Sequence, residues 1–255
     1  MGGLTVARAI IERLPQESLI YFGDTAHVPY GPKSKEAITS YSESITSFLL
    51  KKGCKAIVVA CNTATTVAIE HLRTRWASVP IFGMEPAVKP GAKATKTGKV
   101  GVLATASTFS TQRYSSLMHQ YASDVELLEN PCVGLVKMVE DGLIEGPDLE
   151  RFLAPILSPM QAQGADTFVL GCTHYPFIAP TLKKMLGPDA TIIDPAPALA
   201  RYLEKVLGQK NLLNASGKTP TYEFYTSGPA HSFSTLAKLA IPQPSSVTTH
   251  VELSS

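Results

Sequence analysis

No apolar run in this 255-residue chain approaches the roughly 20 consecutive residues that a membrane-spanning helix needs. The N-terminus also lacks a basic stretch followed by an apolar core and a small-residue cleavage site, so the expectation is a soluble, cytoplasmic protein. An excess of one charge is missing too. The 23 Lys and Arg nearly balance the 21 Asp and Glu, leaving a net charge of +2, and the cations are scattered apart from short pairs such as Lys51-Lys52 and Lys183-Lys184. Such a balance leaves no electrostatic footprint for nucleic acid. Cysteine is scarce: four residues, at positions 54, 61, 132 and 172, are too few and too irregularly spaced for a disulfide framework. Free thiols are expected. No C-x-x-C pair occurs, so a structural zinc site has little local support, although Cys61, Cys172 and His174 could in principle supply three ligands.

The chain is 44% hydrophobic with 18 Gly and 19 Pro, ample for one large α/β domain or two smaller ones. Short apolar strand candidates recur: SLIYFGD (18–24), KAIVVAC (55–61), PIFGM (80–84), KVGVLAT (99–105), DTFVLGC (166–172) and ATIIDP (190–195). Between them lie stretches of helical periodicity at 34–51, 63–76, 108–121, 149–163 and 196–207. Near-continuous apolar strands alternating with helices predict an α/β fold with parallel sheets covered on both faces. The Lys-, Gly- and Ala-rich stretch AVKPGAKATKTGKV after Pro86 reads as passage into a second domain. The expected division is therefore 1–88 plus 203–255 for a first, discontinuous α/β domain and 89–202 for a second. The chain would return through YEFYTSG (222–228) and a last helix at 232–239, followed by a polar tail from Pro242 that is loose at its end.

In folds of this kind ligand sites form just beyond the carboxyl ends of the strands. VVACNTATT (58–66) and VLGCTHYP (169–176) both put a cysteine at that address, each followed by hydroxyl or amide side chains. The matching contexts suggest a pseudo-symmetric pair of lobes with a site in the cleft between them. A thiol there gains acidity from a helix N-terminus, positive charge or hydrogen bonds. Two thiols on opposite faces of a bound carbon could act in turn, one as thiolate removing a proton, the other as thiol donating one, with stereoinversion as the result. Free cysteines more often serve as small buried hydrophobes, and Cys54 and Cys132, framed by nothing polar, are assigned to that role. Asn62, Thr63 and Thr173 suit helix caps and equally suit donors to a carboxylate.

Together, FGDTAHVPYGPKS (22–34), VVACNTATT and VLGCTHYP resemble the glutamate racemases, within the wider aspartate/glutamate racemase superfamily, over nearly the whole chain. CNTA alone is shared across that superfamily. GCTHYP discriminates, because the aspartate enzymes typically carry Glu where His174 stands. The resemblance implies cofactor-independent interconversion of L- and D-glutamate for peptidoglycan synthesis, with a small amino-acid substrate, no nucleic-acid or membrane partner, and room for a homodimer. Cys61 would deprotonate D-glutamate and Cys172 L-glutamate. His174 would assist Cys172 with a carboxylate placed at Glu140, for which Asp141 and Glu145 are the alternatives. Tyr30, Gly31, Asn62, Thr63 and Thr173 would bind substrate, with Thr105 and Thr108 as further contacts.

The departure from the family pattern is at the beginning. The family opens with a strand ending in Asp-Ser-Gly before a Gly-Gly-Leu-Thr-Val segment, whereas this chain opens MGGLTVARAI. The expectation is that Met1 is not the biological start, that a central strand and two polar site residues precede it, and that the chain begins within the loop after that strand. The competing readings are an aspartate or related racemase and a catalytically incomplete remnant.

Overall fold

A computed structural model describes residues 2–229, Phe233, Ala237, Ile241 and 248–251. The chain forms two compact units, Met1–Met84 with Ala196–Ser255, and Glu85–Pro195. In chain order the first unit begins with α1 (Gly3–Arg13), β1 (Leu19–Gly23), α2 (Lys35–Lys51), β2 (Ile57–Val59), α3 (Asn62–Arg75) and β3 (Ile81–Gly83). The second unit contributes α4 (Val88–Ala94), β4 (Lys99–Ala104), α5 (Ala106–Phe109), α6 (Gln112–Tyr121), β5 (Glu126–Asn130), α7 (Leu135–Glu140), α8 (Pro147–Ala162) and β6 (Thr167–Gly171). A 3₁₀ turn (Tyr175–Ile178), α9 (Ala179–Leu186) and β7 (Thr191–Ile193) complete it. The chain then returns to the first unit through α10 (Ala196–Gln209), β8 (Tyr222–Thr226) and β9 (Thr248–His250).

Every strand pairing is parallel, as the apolar runs predict. The second unit is a single sheet in the order β5-β4-β6-β7. Its central strands β4 and β6 are buried along almost their whole length, which is why they read as unbroken Val/Leu runs rather than alternating ones. In the first unit the described strands form two sheets, β1-β8-β9 and β2-β3. Helices cover these sheets through apolar stripes at helical spacing. On α10, Leu199, Ala200, Leu203 and Leu207 face in and pack with Val6, Ile10 and Leu14 of the α1 segment.

That packing fixes where the units exchange. Because α10 belongs with α1 along its whole length, the second crossing falls at Pro195/Ala196 rather than at 202/203, and the first at Met84/Glu85 rather than at 88/89. The supposed passage after Pro86 contains α4. Gly91 is what lets it lie close to β6, since a Cβ there would stand 2.6 Å from Val169 Cγ2. From Gly3 onward the chain is helical, and Leu4, Ala7 and Ile10 of α1 are buried at spacings of three. The helix expected over 108–121 is broken in two, because Thr111 caps α6 by accepting from the Tyr114 N–H at 3.2 Å. The helix expected at 232–239 lies outside the described residues except for Phe233 and Ala237, both buried. Within the expected tail, Thr248–His250 pairs with β8. Among the described residues no helix is long and apolar enough to cross a membrane.

Candidate active site

Each unit carries its own cluster of polar side chains at the carboxyl ends of its strands. In the first unit β2 runs out into Cys61, which becomes the N-cap of α3 in extended geometry (φ −146°, ψ 124°). Its Sγ accepts from the Ala64 N–H at 3.5 Å. Burial pushes the Cys61 thiol up, and the backbone N–H groups of Ala64 and Thr63 act against that rise without cancelling it. The group therefore rests as a thiol whose thiolate form already has donors aimed at it.

Asn62 and Thr63 follow in the first turn of α3 and are both buried. Neither Asn62 Nδ2 nor Oδ1 has a hydrogen-bond partner among the described residues. A buried polar group left unpaired costs about 1–3 kcal/mol, so this amide is held at an energetic disadvantage that a polar ligand would relieve. Asn62→Leu, which removes the amide and keeps its approximate size, is expected to leave the free protein as stable or more stable in thermal melts. It should also raise the KM for substrate about tenfold or more. Loss of stability with an unchanged KM would mean that the amide serves the fold.

The loop after β1 brings Tyr30 to the same unit's site. Its hydroxyl donates to Asp24 Oδ2 at 2.5 Å, while His27 Nδ1 and Ser227 Oγ lie 2.7 and 2.6 Å from Asp24 Oδ1. Burial and then the neighbouring Asp24 carboxylate hold the Tyr30 phenol protonated far above the ordinary tyrosine range, with Cys61 a smaller influence in the same direction. Gly31 stands exposed in the turn that follows. Asp24 is a hub that the sequence reading did not single out. The available signal was the Asp-x-x-His spacing of Asp24 and His27, but Ser227 is remote in sequence.

In the second unit Cys172 is the first residue past β6 and is buried. Its Sγ is 3.5 Å from His174 Nδ1, and His174 Nε2 is 2.5 Å from Glu140 Oε1. The three side chains form a relay from the end of α7 to the end of β6. Of the three candidate carboxylates, Glu140 is the one bonded to His174. Asp141 is drawn to Lys137 Nζ at 2.7 Å on the exposed side of α7, and Glu145 is exposed. Thr173 is buried beside Cys172. On the neighbouring strand the Thr105 hydroxyl, just past β4, lies 3.0 Å from Ser107 Oγ and 3.1 Å from Thr108 Oγ1. Ala104 pairs with Gly171, so these hydroxyls share the strand-end address of Cys172. Cys132 is packed within the apolar core of this unit, where burial pushes its thiol up to about 12.

Burial lowers the proton affinity of His174, and the Glu140 hydrogen bond offsets this only in part. For Glu140, burial acts upward, but the hydrogen bond from His174 helps to bring the carboxyl below the usual range. The consistent arrangement is neutral His174 donating from Nε2 to ionised Glu140, with the Nδ1 lone pair facing the Cys172 thiol. Both folded-state pKa values lie below their unfolded ones, so the folded chain binds fewer protons. The stability these groups confer is complete above the ordinary histidine value of 6.5 and is lost as pH falls through the folded values. In urea titrations the wild-type midpoint is expected to drop between about pH 7 and about pH 5, and to drop less in His174→Gln. Equal slopes would contradict this reading of the pair.

The profile of the Asp/Glu/Hydantoin racemase family matches residues 3–203. A glutamate racemase of Pseudomonas aeruginosa is 50% identical over 227 residues, which cover 89% of this chain and 85% of that protein. Among solved structures, a glutamate racemase of Bacillus anthracis aligns with a TM-score of 0.88 at 36% identity, covering 99% of this chain and 94% of the other. One from Francisella tularensis, solved in complex with D-glutamate, gives a TM-score of 0.85 at 30% identity, covering 98% and 94%. With the family profile spanning most of its length and relatives of this similarity along it, the chain belongs to the Asp/Glu/Hydantoin racemase family.

Proposed function

We propose that this protein interconverts L- and D-glutamate by proton transfer through Cys61 and Cys172, and that its product serves peptidoglycan synthesis. Glutamate is favoured over aspartate by the curated relatives, and by solved relatives of which one holds D-glutamate and another, from Escherichia coli, L-glutamate. The observation that carries the chemistry is the Cys172–His174–Glu140 relay.

In L-to-D turnover, neutral His174 takes the Cys172 thiol proton at Nδ1, and Glu140 stabilises the resulting imidazolium through Nε2. The Cys172 thiolate then removes the α-proton, and its electron pair stays on the α-carbon as a carbanion delocalised into the carboxylate. Cys61, held as a thiol by burial, gives its proton to the opposite face, leaving a thiolate that the Ala64 and Thr63 amides stabilise. Solvent-mediated proton exchange between the His174 imidazolium and the Cys61 thiolate restores the resting state, and D-to-L turnover, which begins from that imidazolium–thiolate form, runs the same steps in reverse. Asn62, Thr63, Thr173 and the Thr105–Thr108 hydroxyls are the donors suited to the substrate carboxylates, and the Asp24-held Tyr30–Gly31 loop closes the list. Dimerisation would add nothing that this chemistry requires.

A chiral assay tests the substrate assignment. L-glutamate should lose optical activity at a rate at least about a hundredfold above L-aspartate, as expected of a site whose buried polar groups go unpaired with the wrong ligand. Faster racemisation of aspartate would establish the aspartate-racemase alternative, and activity on neither would overturn the proposal.

A further inference from the structure

Thr65 lies one helical turn beyond Cys61 and is completely buried. Its backbone N–H donates to the Cys61 carbonyl at 2.9 Å. A threonine inside a helix ordinarily turns its hydroxyl to the carbonyl three or four residues back. This one reaches out of its helix. Oγ1 donates to the carbonyl of Val59, the last residue of β2, at 3.1 Å, and accepts from the N–H of Met84, the residue after β3, at 3.0 Å. The Met84 N–H also reaches the Val59 carbonyl, at 3.1 Å. One hydroxyl thus ties the carboxyl ends of two adjacent parallel strands to the helical turn that Cys61 caps. The methyl group is specified as well, since it covers Gly83, where a Cβ would stand 2.4 Å from Thr65 Cγ2.

We propose that Thr65 is a positioning residue for Cys61. Its hydroxyl fixes the first turn of α3 against the ends of β2 and β3, and thereby the direction from which Cys61 Sγ meets the α-carbon. The inference rests on the reading of Cys61 as the acid/base for D-glutamate. Without the hydroxyl, α3 remains a helix on the sheet, but its first turn is free to shift, and a displacement of about 1 Å at a reacting group costs up to about a hundredfold in rate.

Thr65→Val keeps the methyl over Gly83 and deletes only the hydroxyl. Because the enantiomers have equal free energies, kcat/KM must fall by the same factor in both directions, here about tenfold or more. The direction-specific readout is the primary isotope effect on kcat/KM with α-deuterated glutamate. It should exceed the wild-type value with the D-enantiomer, whose proton goes to Cys61, and should not rise with the L-enantiomer, whose proton goes to Cys172. Thr65→Ser, which retains the hydroxyl, should restore the wild-type pattern. If Thr65→Val does not fold, Gly83→Ala carries the test, since its methyl displaces the same side chain by another route, with the same asymmetric isotope effect expected. Isotope effects that stay unchanged, or rise equally for both enantiomers, would overturn the proposal, as would failure of Thr65→Ser to restore them. Absence of glutamate racemisation by the unaltered protein would instead remove the functional reading and this role with it.

Discussion

Replacement of either Cys61 or Cys172 by serine is expected to lower kcat/KM for glutamate racemisation by about a thousandfold or more, within the range lost when a positioned acid or base is removed. A serine hydroxyl keeps much of the geometry but is far too weak an acid to form the anion at neutral pH. The loss should therefore appear in kcat, with little change in KM. On the proposed mechanism the two thiols act in series on one carbon, so neither should substitute for the other. Combining both substitutions should add little to either alone, because effects of groups that act as a unit are not additive. By contrast Cys132→Ala, in the core of the second unit, should change thermal stability more than turnover. Retention of activity in either serine variant would end the two-thiol account.

The second large effect is expected at the relay behind Cys172. His174→Asn removes the only described side chain bonded to both Cys172 Sγ and Glu140, and should reduce kcat by about a hundredfold. Glu140→Gln keeps a hydrogen-bonding partner for Nε2 but removes the charge that stabilises the imidazolium, and should cost about tenfold. In both variants proton removal by Cys172 becomes slower. The primary isotope effect should grow with α-deuterated L-glutamate and not with the D-enantiomer, the mirror image of the pattern expected at Thr65. Equal isotope effects for the two enantiomers would place His174 and Glu140 in general support of the fold rather than behind Cys172.

What the sequence revealed and what it concealed follow from where each group's partners lie. The two cysteine addresses were legible because β2 and β6 are short apolar runs and a cysteine follows within two residues of the end of each. Strand β5 was not, because it is the edge of its sheet and carries Glu126, Glu129 and Asn130 among only two leucines. Helix α4 reads as a connector in sequence because only Val88 and Gly91 are buried in it, while Lys89 and Lys93 face outward. Within the carboxylate cluster the choice of Glu140 was ambiguous in sequence, since three acids fall within six residues. In the fold the rotation of α7 buries Leu135 and Val139 and directs Glu140 to His174 while leaving Asp141 beside Lys137. The reach of Thr65 to Met84 and of Asp24 to Ser227 depends on strands brought together only by folding, and no local pattern announces it.

The central claim, two thiols acting on opposite faces of one α-carbon, is tested most directly by racemisation in deuterated water followed early in the reaction. Starting from L-glutamate, the account predicts that the D-glutamate formed carries deuterium at the α-carbon while the remaining L-glutamate stays unlabelled, because Cys172 removes the proton and a different group, equilibrated with solvent, returns one from the other side. Starting from D-glutamate, the labelled pool should be L-glutamate alone. Deuterium appearing from the outset in both enantiomers, or α-protium carried over into the product, would show that a single group removes and returns the proton, and would contradict the account.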